Sequence, residues 1–536
     1  MRRCACFLQV VAVSVVVTAF TASAVNVTID ETAEHQTIEG FGAHGSMSVW
    51  WSGGPFYNAQ FLDRVVDDLG LTINRNEFYP DFEPQNENGD PNSLNYSAFN
   101  FDGIFMNKQR GWINALKNKA QSSGEPIRFI TSYWSPPAWM KTNNSTKNGG
   151  NLKAEARPEL AELAVATVRA YKEECGVDLY ALSIQNEPAF VEPYNSCVYS
   201  AEQYRDAIKV VGPKLHSAYP NVKLFGAEDM LSRWTVEPYA GYCQQDPISR
   251  EHLNVFAVHG YSDGQHPTPA SDAVSKWKIA GNNCASAGKP LWMTETSGYD
   301  DSWSGAFELA EMIYAALKYG KIAAWVWWQL SENTSCSVYV FMYNGNPTKR
   351  YYIHKQYYRY IRPGAVMVDA ASDNELVFSL AFHHKQNNTL TVVLINATNS
   401  SQTVNLAGNS LPTFNAYRTT SSDNCVSAGT VTNSINLAPS SVYTLYGTNY
   451  EPAVNAVNPT TGRVSLAGVT TLGSARIYTL DGKLVADVRD TRLVDGRVRW
   501  NGLDNRGTRA PMGTYYALFT DLSGTSHASR LPVEMH

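Results

Sequence analysis

The sequence predicts an α/β chain: a (β/α)8 barrel carrying a side β-sandwich, followed by a separate, smaller C-terminal β-sandwich. Three observations predict it. Between about Gly40 and Pro363 short apolar runs alternate with longer amphipathic ones, the pattern of repeated β/α units. From Ala365 to Tyr446 the pattern changes to period-two alternation broken by turn residues, as in LVFSLAFHHKQNNTLTVVLINAT. Past NYEPAVNAVNPTTG, a stretch with the Pro and Asn content of a linker, apolar runs are joined by Asp-Gly and Asn-Gly turns. At 536 residues the chain is also too long for one core.

Taken in order, residues 1–24 (MRRCACFLQVVAVSVVVTAFTASA) combine two Arg, an apolar run and Ala22-Ser23-Ala24. That is the form of a signal peptide cleaved near Ala24, so a secreted or cell-surface protein is expected. Its apolar run is short for a bilayer span, and no later segment is long and apolar enough. Residues 25–39, with the strand-like VNVTID, are expected to join the side β-domain. Residues 40–363 supply eight strand candidates: TIEGFG, LTINRNEF, IRFITSYW, LYALSIQNEP, KLFGAED, VFAVHGY, LWMTETS and AAWVWWQL. Between them lie helical stretches such as PELAELAVATVRAYKEE and FELAEMIYAALKYG, whose apolar residues recur at helix spacing. Eight strands with intervening helices make a (β/α)8 barrel. Residues 364–448 complete the side domain, 449–462 form the linker, and 463–536 form the C-terminal β-sandwich.

Loss of Arg2 and Arg3 with the leader takes the 43 basic residues to 41 against 49 acidic ones, a net charge of about −8. Nothing in that balance attracts nucleic acid or an anionic membrane, and a monomer is expected. Six cysteines remain in the exported chain: Cys175, Cys197, Cys243, Cys284, Cys336 and Cys425. Export permits disulfides and the even count allows them, so they are read as structural bridges, with free buried thiols as the rival. They show no CxxC or zinc spacing, and no metal or cofactor is expected.

In such a barrel the working groups sit at the C-terminal ends of the strands. Strand four ends in SIQNEP with Glu187, and strand seven in LWMTE with Glu295. Two carboxylates across one barrel mouth suit cleavage of a glycosidic bond, where one protonates the leaving oxygen while the other attacks or stabilises the anomeric carbon. The rival reading, that each glutamate caps a helix or pairs with a lysine, weakens when both occur together. Arg75, ending strand two, can hold Glu295 ionised; His259 and Tyr261, ending strand six, can donate to it. Trp50, Trp51, Tyr133, Trp134, Trp139, Tyr299, Trp303, Trp327 and Trp328 cluster near strand ends, where rings can stack on sugars. Core packing claims Trp325 and one or both of Trp327 and Trp328. GFGAHG at Gly40–Gly45 matches a dinucleotide motif literally but opens no helix, and HHK at His383–Lys385 reads as a surface turn rather than a metal site.

With these residues in view, the chain resembles glycoside hydrolase family 30. The resemblance is carried by IEGFGAHGS, LGLTINRNEFYP, SYWSPPAWMKTNNSTKNGGNL, LSIQNEP, VHGY, LWMTET and VWWQL, in family order over roughly Val25 to Asn449. It implies Glu187 as general acid/base and Glu295 as nucleophile of a retaining enzyme, with the two carboxyl groups ~5 to 5.5 Å apart. It further implies Asn186 at the sugar 2-hydroxyl, and Arg75, Trp134, His259, Tyr261 and Trp328 around the inner site, to which the aromatic pattern adds Trp50 and Tyr299. The polysaccharide expected is a plant cell-wall one. Members that require a glucuronic acid branch carry an arginine just after the strand-eight Trp pair; here that place reads WWQLSENTSCSVYVF. An endo-β-1,4-xylanase not strictly dependent on glucuronate is therefore the first expectation. A β-1,6-glucanase, galactanase or glucosylceramidase-like β-glucosidase is the alternative within the family, and a non-catalytic glycan-binding protein the alternative outside it. Residues 463–536 resemble the immunoglobulin-like modules that end many secreted bacterial enzymes, through IYTLDGKLV, WNGLDNRG and GTYYALF, which implies sorting, attachment or spacing.

Overall fold

The structure is a computed structural model describing residues 24–450 apart from 46, 51–56, 232–238, 262–267, 269 and 333–337. Beyond 450 it describes 463–465, 472–479, 483–489, 497–499, 503–506, 508, 513–521 and 526–533. The predicted leader lies outside the described residues except for Ala24. Two units separate at Asn449 and Tyr450, close to the predicted linker.

Nine strands set up the first unit: β1 (Val25–Thr37), β2 (Gly40–His44), β3 (Ile73–Glu77), β4 (Arg128–Ser132), β5 (Ala181–Ser183), β6 (Lys223–Met230), β7 (Leu253–His259), β8 (Leu291–Glu295) and β9 (Ala324–Trp327). β2 to β9 close into a barrel in sequence order, every neighbour parallel. Each overlaps one of the eight apolar runs, with β2, β6 and β7 extending past theirs by one or two residues. Long helices cover the outside, among them Arg157–Cys175 and Trp303–Lys318, with Pro158 at the start of the first and Gly176 in left-handed conformation ending it. Ile73, Ile130, Phe225, Val255 and Trp292 fill the barrel's interior. Below them Glu39 takes hydrogen bonds from Tyr180, Lys223 and Trp292.

Side-chain direction inside the barrel follows the strand period of two, with two exceptions that matter. On β3, Ile73 faces inward, and Arg75 and Glu77 follow on the same face; on β7, Val255, Ala257 and His259 do the same. On β6 the pairing with β7 skips a residue between Ala227 and Asp229, leaving Glu228 unpaired in left-handed backbone at φ +56°. On β8, Met293 pairs with Val258 and Glu295 with His259, leaving Thr294 as the extra residue. Each bulge reverses the alternation. Glu228 and Glu295, three positions beyond the inward Phe225 and Trp292, therefore face inward as well.

Three short strands follow the barrel: β10 (Ser331–Glu332), β11 (Met342–Tyr343) and β12 (Asn346–Pro347). The side domain then adds β13 (Val366–Ser372), β14 (Val377–His384), β15 (Thr389–Asn396), β16 (Gln402–Ala407), β17 (Phe414–Thr419), β18 (Val426–Val431), β19 (Ser434–Leu437) and β20 (Ser441–Thr448). Their sheet order is β18-β17-β20-β15-β14-β13-β1-β16-β19, so β1 pairs across the chain with β13 and β16. β14 and β15 are buried along their whole length, at the centre of this sheet. That corrects the surface reading of HHK: His383 and His384 close β14 inside the sheet, and His384 lies 3.0 Å from the Pro363 carbonyl.

The expectation of disulfides is also corrected. Cys175, Cys197, Cys243, Cys284 and Cys425 are free and buried. Cys175, Cys197, Cys243 and Cys284 pack in the main apolar core as small hydrophobes, Cys425 lies 3.8 Å from the Tyr360 hydroxyl, and burial pushes the Cys197 and Cys243 thiols up to about 12. Cys336 lies outside the described residues. No helix among the described residues is long and apolar enough to cross a membrane.

The second unit contains β21 (Arg463–Ser465), β22 (Leu472–Thr479), β23 (Leu484–Arg489), β24 (Arg497–Arg499), β25 (Gly513–Asp521) and β26 (Ser526–Val533). They form a four-stranded antiparallel sheet, β23-β22-β25-β26, and the pair β21-β24.

Candidate active site

The strand ends deliver one group after another to the C-terminal mouth of the barrel. Arg75 sits at its centre, fully buried. Its Nη1 donates to Glu295 Oε2 at 2.6 Å, and its Nη2 donates to Asn186 Oδ1 at 2.7 Å and Glu228 Oε1 at 2.9 Å. Its guanidinium also lies 4.6 Å from the ring centre of Trp134. Tyr261 donates to the other Glu295 oxygen at 2.6 Å. Glu295 is thus held by two groups that prefer its anion. Burial, then the Glu295 charge, push the Tyr261 hydroxyl well above its usual range, which keeps it a donor.

Glu187 lies four residues past β5, in left-handed backbone at φ +46°, rather than on the strand end itself. The His259 ring meets it, with Nδ1 2.8 Å from Glu187 Oε1. The far nitrogen of that ring points towards Glu228 at 3.9 Å and Glu295 at 4.0 Å. Burial opposes a charge on His259, but the Glu295 charge, the hydrogen bond to Glu187 and the neighbouring Glu228 outweigh it and raise His259 to about 10. Both ring nitrogens therefore carry protons at neutral pH. Burial likewise opposes the Glu228 anion, and Arg75 with His259 overcomes it, lowering Glu228 to about 2.

One ligating atom from each of Glu187, His259 and Glu295 lies within 4.8 Å of the others, so the two carboxylates approach closely across the mouth.

A cleft of about 1010 Å³ opens over these groups, and Glu187, Glu295, Asn186, Trp134, Tyr261 and Trp328 all line it. Arg75 and His259 lie behind its wall, each with no exposed surface. The strand-eight pair divides: Trp327 stacks in the core on Phe341, and Trp328 faces the cleft. His44 fills the angle behind Trp134 and Trp328, its ring 4.3 Å from Trp328. Burial, then Arg75, hold His44 well below its usual range, so it packs as a neutral ring.

Two expected sugar contacts go elsewhere. Trp50 is buried, its Nε1 donating to the Gly45 carbonyl at 2.6 Å, and it backs Tyr79 rather than the cleft. Tyr299 packs against Trp327, and its carbonyl is held by Arg350 at 2.9 Å. Tyr133 is likewise internal, bonded to Thr167, while its carbonyl takes the Asn186 amide. Trp139 is anchored on the Glu83 carbonyl, and Trp51 lies outside the described residues.

Glu228 is the group the sequence reading missed. It stands next to last in the fifth apolar run, KLFGAED, beside Asp229. Glu77 was missed too: it ends β3 on the cleft wall and accepts from Asn195 at 2.7 Å. Burial raises Glu77 to about 7.

Comparison with known proteins follows this geometry. A profile of the glycosyl hydrolase family 30 TIM-barrel domain matches residues 80–363. Glucuronoxylanase XynC of Bacillus subtilis (strain 168) is 24% identical over 424 residues, 75% of this chain and 86% of its own. Lysosomal acid glucosylceramidase of Mus musculus is 28% identical over 238 residues, 41% of this chain and 44% of its own, so the chain spans less than half of that relative. Among solved structures, the family 30 subfamily 8 xylanase Xyn30A of Clostridium acetobutylicum superposes with a TM-score of 0.62 at 24% identity. That match covers 79% of this chain and 99% of the xylanase, a likeness of fold.

Proposed function

The chain belongs to glycosyl hydrolase family 30, and from that premise we propose that it is a retaining endo-glycosidase of a plant cell-wall polysaccharide, with Glu187 as general acid/base and Glu295 as nucleophile. The observation that carries this reading is the approach of Glu187 and Glu295 across the mouth, their nearest ligating oxygens within 4.8 Å. Retaining enzymes place the two groups ~5 to 5.5 Å apart, whereas inverting ones leave ~6.5 Å or more for a water.

The charges support the division of labour. Arg75 and His259 are cations, Glu228 and Glu295 anions, so these four sum to zero and Glu187 can gain or lose a proton among them. In the first step Glu295 attacks the anomeric carbon, the glycosidic bond breaks, and the Glu187 proton passes to the leaving oxygen. In the second, Glu187 takes a proton from water, which attacks the same carbon and releases Glu295. Arg75 and Tyr261 orient the nucleophile throughout, Asn186 reaches the sugar beside it, and Trp134 and Trp328 supply apolar faces.

An endo-β-1,4-xylanase that does not depend on glucuronate branches is the proposed specificity. It is supported by the likeness to glucuronoxylanase XynC together with the run QLSE after Trp328, which puts Ser331 and Glu332 where the resemblance implies arginine in branch-dependent members. Export by the N-terminal leader and attachment or spacing by the C-terminal unit complete the proposal.

Digestion of unbranched xylan, glucuronoxylan and β-1,6-glucan in parallel, with the anomer of the first product followed by NMR, tests it. Xylooligosaccharides released with retained β configuration are expected. Release of the α anomer sinks the covalent step, and binding without hydrolysis of any polymer favours the non-catalytic reading.

A further inference from the structure

We propose that the cleft is a charge filter, in which Glu77, Asp81 and Glu192 on its wall favour uncharged stretches of polysaccharide and disfavour stretches that carry uronate. This rests on the hydrolase reading above and specifies the substrate that reading leaves open.

Among the described residues lining the cleft, Glu77, Asp81, Glu187, Glu192 and Glu295 are acids and Lys147 alone is a cation. The two buried cations of the mouth do not redress this. Arg75 is committed to Glu295 and Glu228, and His259 to Glu187. The three remaining acids have neutral partners: Glu77 accepts from the Asn195 amide at 2.7 Å, Asp81 from the Ile104 backbone at 2.8 Å, and Glu192 from the Tyr194 hydroxyl. No cation among the described residues lies within ion-pair distance of Glu77, Asp81 or Glu192.

The three are also grouped. Glu77 and Asp81 follow one another at the end of β3, and the Asn195 bond ties to them the loop that carries Glu192. Glu192 feels the catalytic centre across the cleft: burial, then the Glu187 charge, raise it above its ordinary value. Low-dielectric walls of one sign concentrate a field in the space between them. A uronate entering that space is repelled, while a neutral pyranose finds acceptors for its hydroxyls.

The test uses the full mature enzyme on two matched pairs of polymers. One pair is glucuronoxylan and the same polymer with its uronic carboxyls reduced to alcohols. The other is a neutral β-glucan and its carboxymethylated form. At pH 8, above the value of about 7 to which burial raises Glu77, and at 10 mM salt, kcat/KM is expected to be about ten-fold higher on the neutral member. Raising salt to 0.5 M shortens the screening length to a few ångströms and is expected to shrink that ratio. Glu192→Gln and Glu77→Gln are each expected to shrink it at low salt. Glu192 is half-buried and Asp81→Asn is a further partner, so the outcome does not hang on Glu77→Gln folding.

Equal rates within both pairs, faster cleavage of the charged member, or a ratio untouched by Glu192→Gln and Asp81→Asn would overturn the filter while leaving the hydrolase reading intact. Discrimination within the glucan pair but no xylan cleavage supports the filter and overturns the xylan assignment. Inactivity on all four polymers overturns both.

Discussion

At the N-terminal end of the barrel Glu39 is met by Lys223, Tyr180 and Trp292, and Arg128 holds its carbonyl. At the C-terminal end Glu295 is met by Arg75 and Tyr261. The two settings use the same side-chain chemistry but balance it differently. Below, one acid is answered in full by cations and donors around it. Above, Glu187, Glu228 and Glu295 share Arg75 and His259, and a carboxylate is left over. The lower end is balanced within itself, while the mouth holds one carboxylate more than its buried cations match.

The largest separation of the two ends comes from Glu295→Gln. Initial rates on a polysaccharide substrate are expected to fall about 10⁴-fold or more, because a nucleophile is lost rather than weakened. The unfolding midpoint moves little, since Arg75 keeps Glu228 and Asn186. Glu228→Gln should be intermediate. It touches no substrate but positions Arg75 and His259, so we expect kcat down about 10- to 100-fold.

That variant also sharpens the comparison through pH. Because the folded-state His259 value of about 10 lies above the unfolded one, its stabilisation is whole below about pH 6.5 and is lost as pH rises towards 10. Removing the Glu228 charge lowers His259, so the titration of its ring, followed by NMR, should move to lower pH. An unmoved midpoint would reduce Glu228 to a packing role.

Glu39→Gln reverses the pattern, with kcat/KM unchanged and stability lower by about 1–2 kcal/mol, a few degrees in a melting scan. An effect on stability alone is expected beside the mouth at Glu83. Burial, then Glu159 and Glu162, raise its carboxyl to about 9. A folded value above the unfolded one means stability present below about pH 4.3 and lost as pH rises through about 9. Glu83→Gln should therefore raise the melting temperature at pH 8 and barely change it at pH 4.

Every barrel strand was legible because a strand buried on both faces must be apolar, and such runs stand out between amphipathic helices. Glu187 and Glu295 were legible for the same reason, as acids that interrupt those runs. Glu228 was not, because next to Asp229 it has no visible parity; the alternation from Phe225 points it outward, and only the bulge turns it in. Trp50 and Tyr299 were misplaced since nearness to a strand end does not set the direction of a ring. The cysteines were misread because export allows a bridge, but only tertiary geometry brings two sulfurs together.

The bulges at Glu228 and Thr294 make strand length a functional variable of its own. With one residue fewer on β6 or β8, every group beyond the deletion would exchange the barrel's inside for the layer of helices outside. The acid would still be present, at the end of an intact apolar strand, and would face the wrong way. In this barrel, chemistry depends on whether a count of residues is odd or even as well as on which residues are counted.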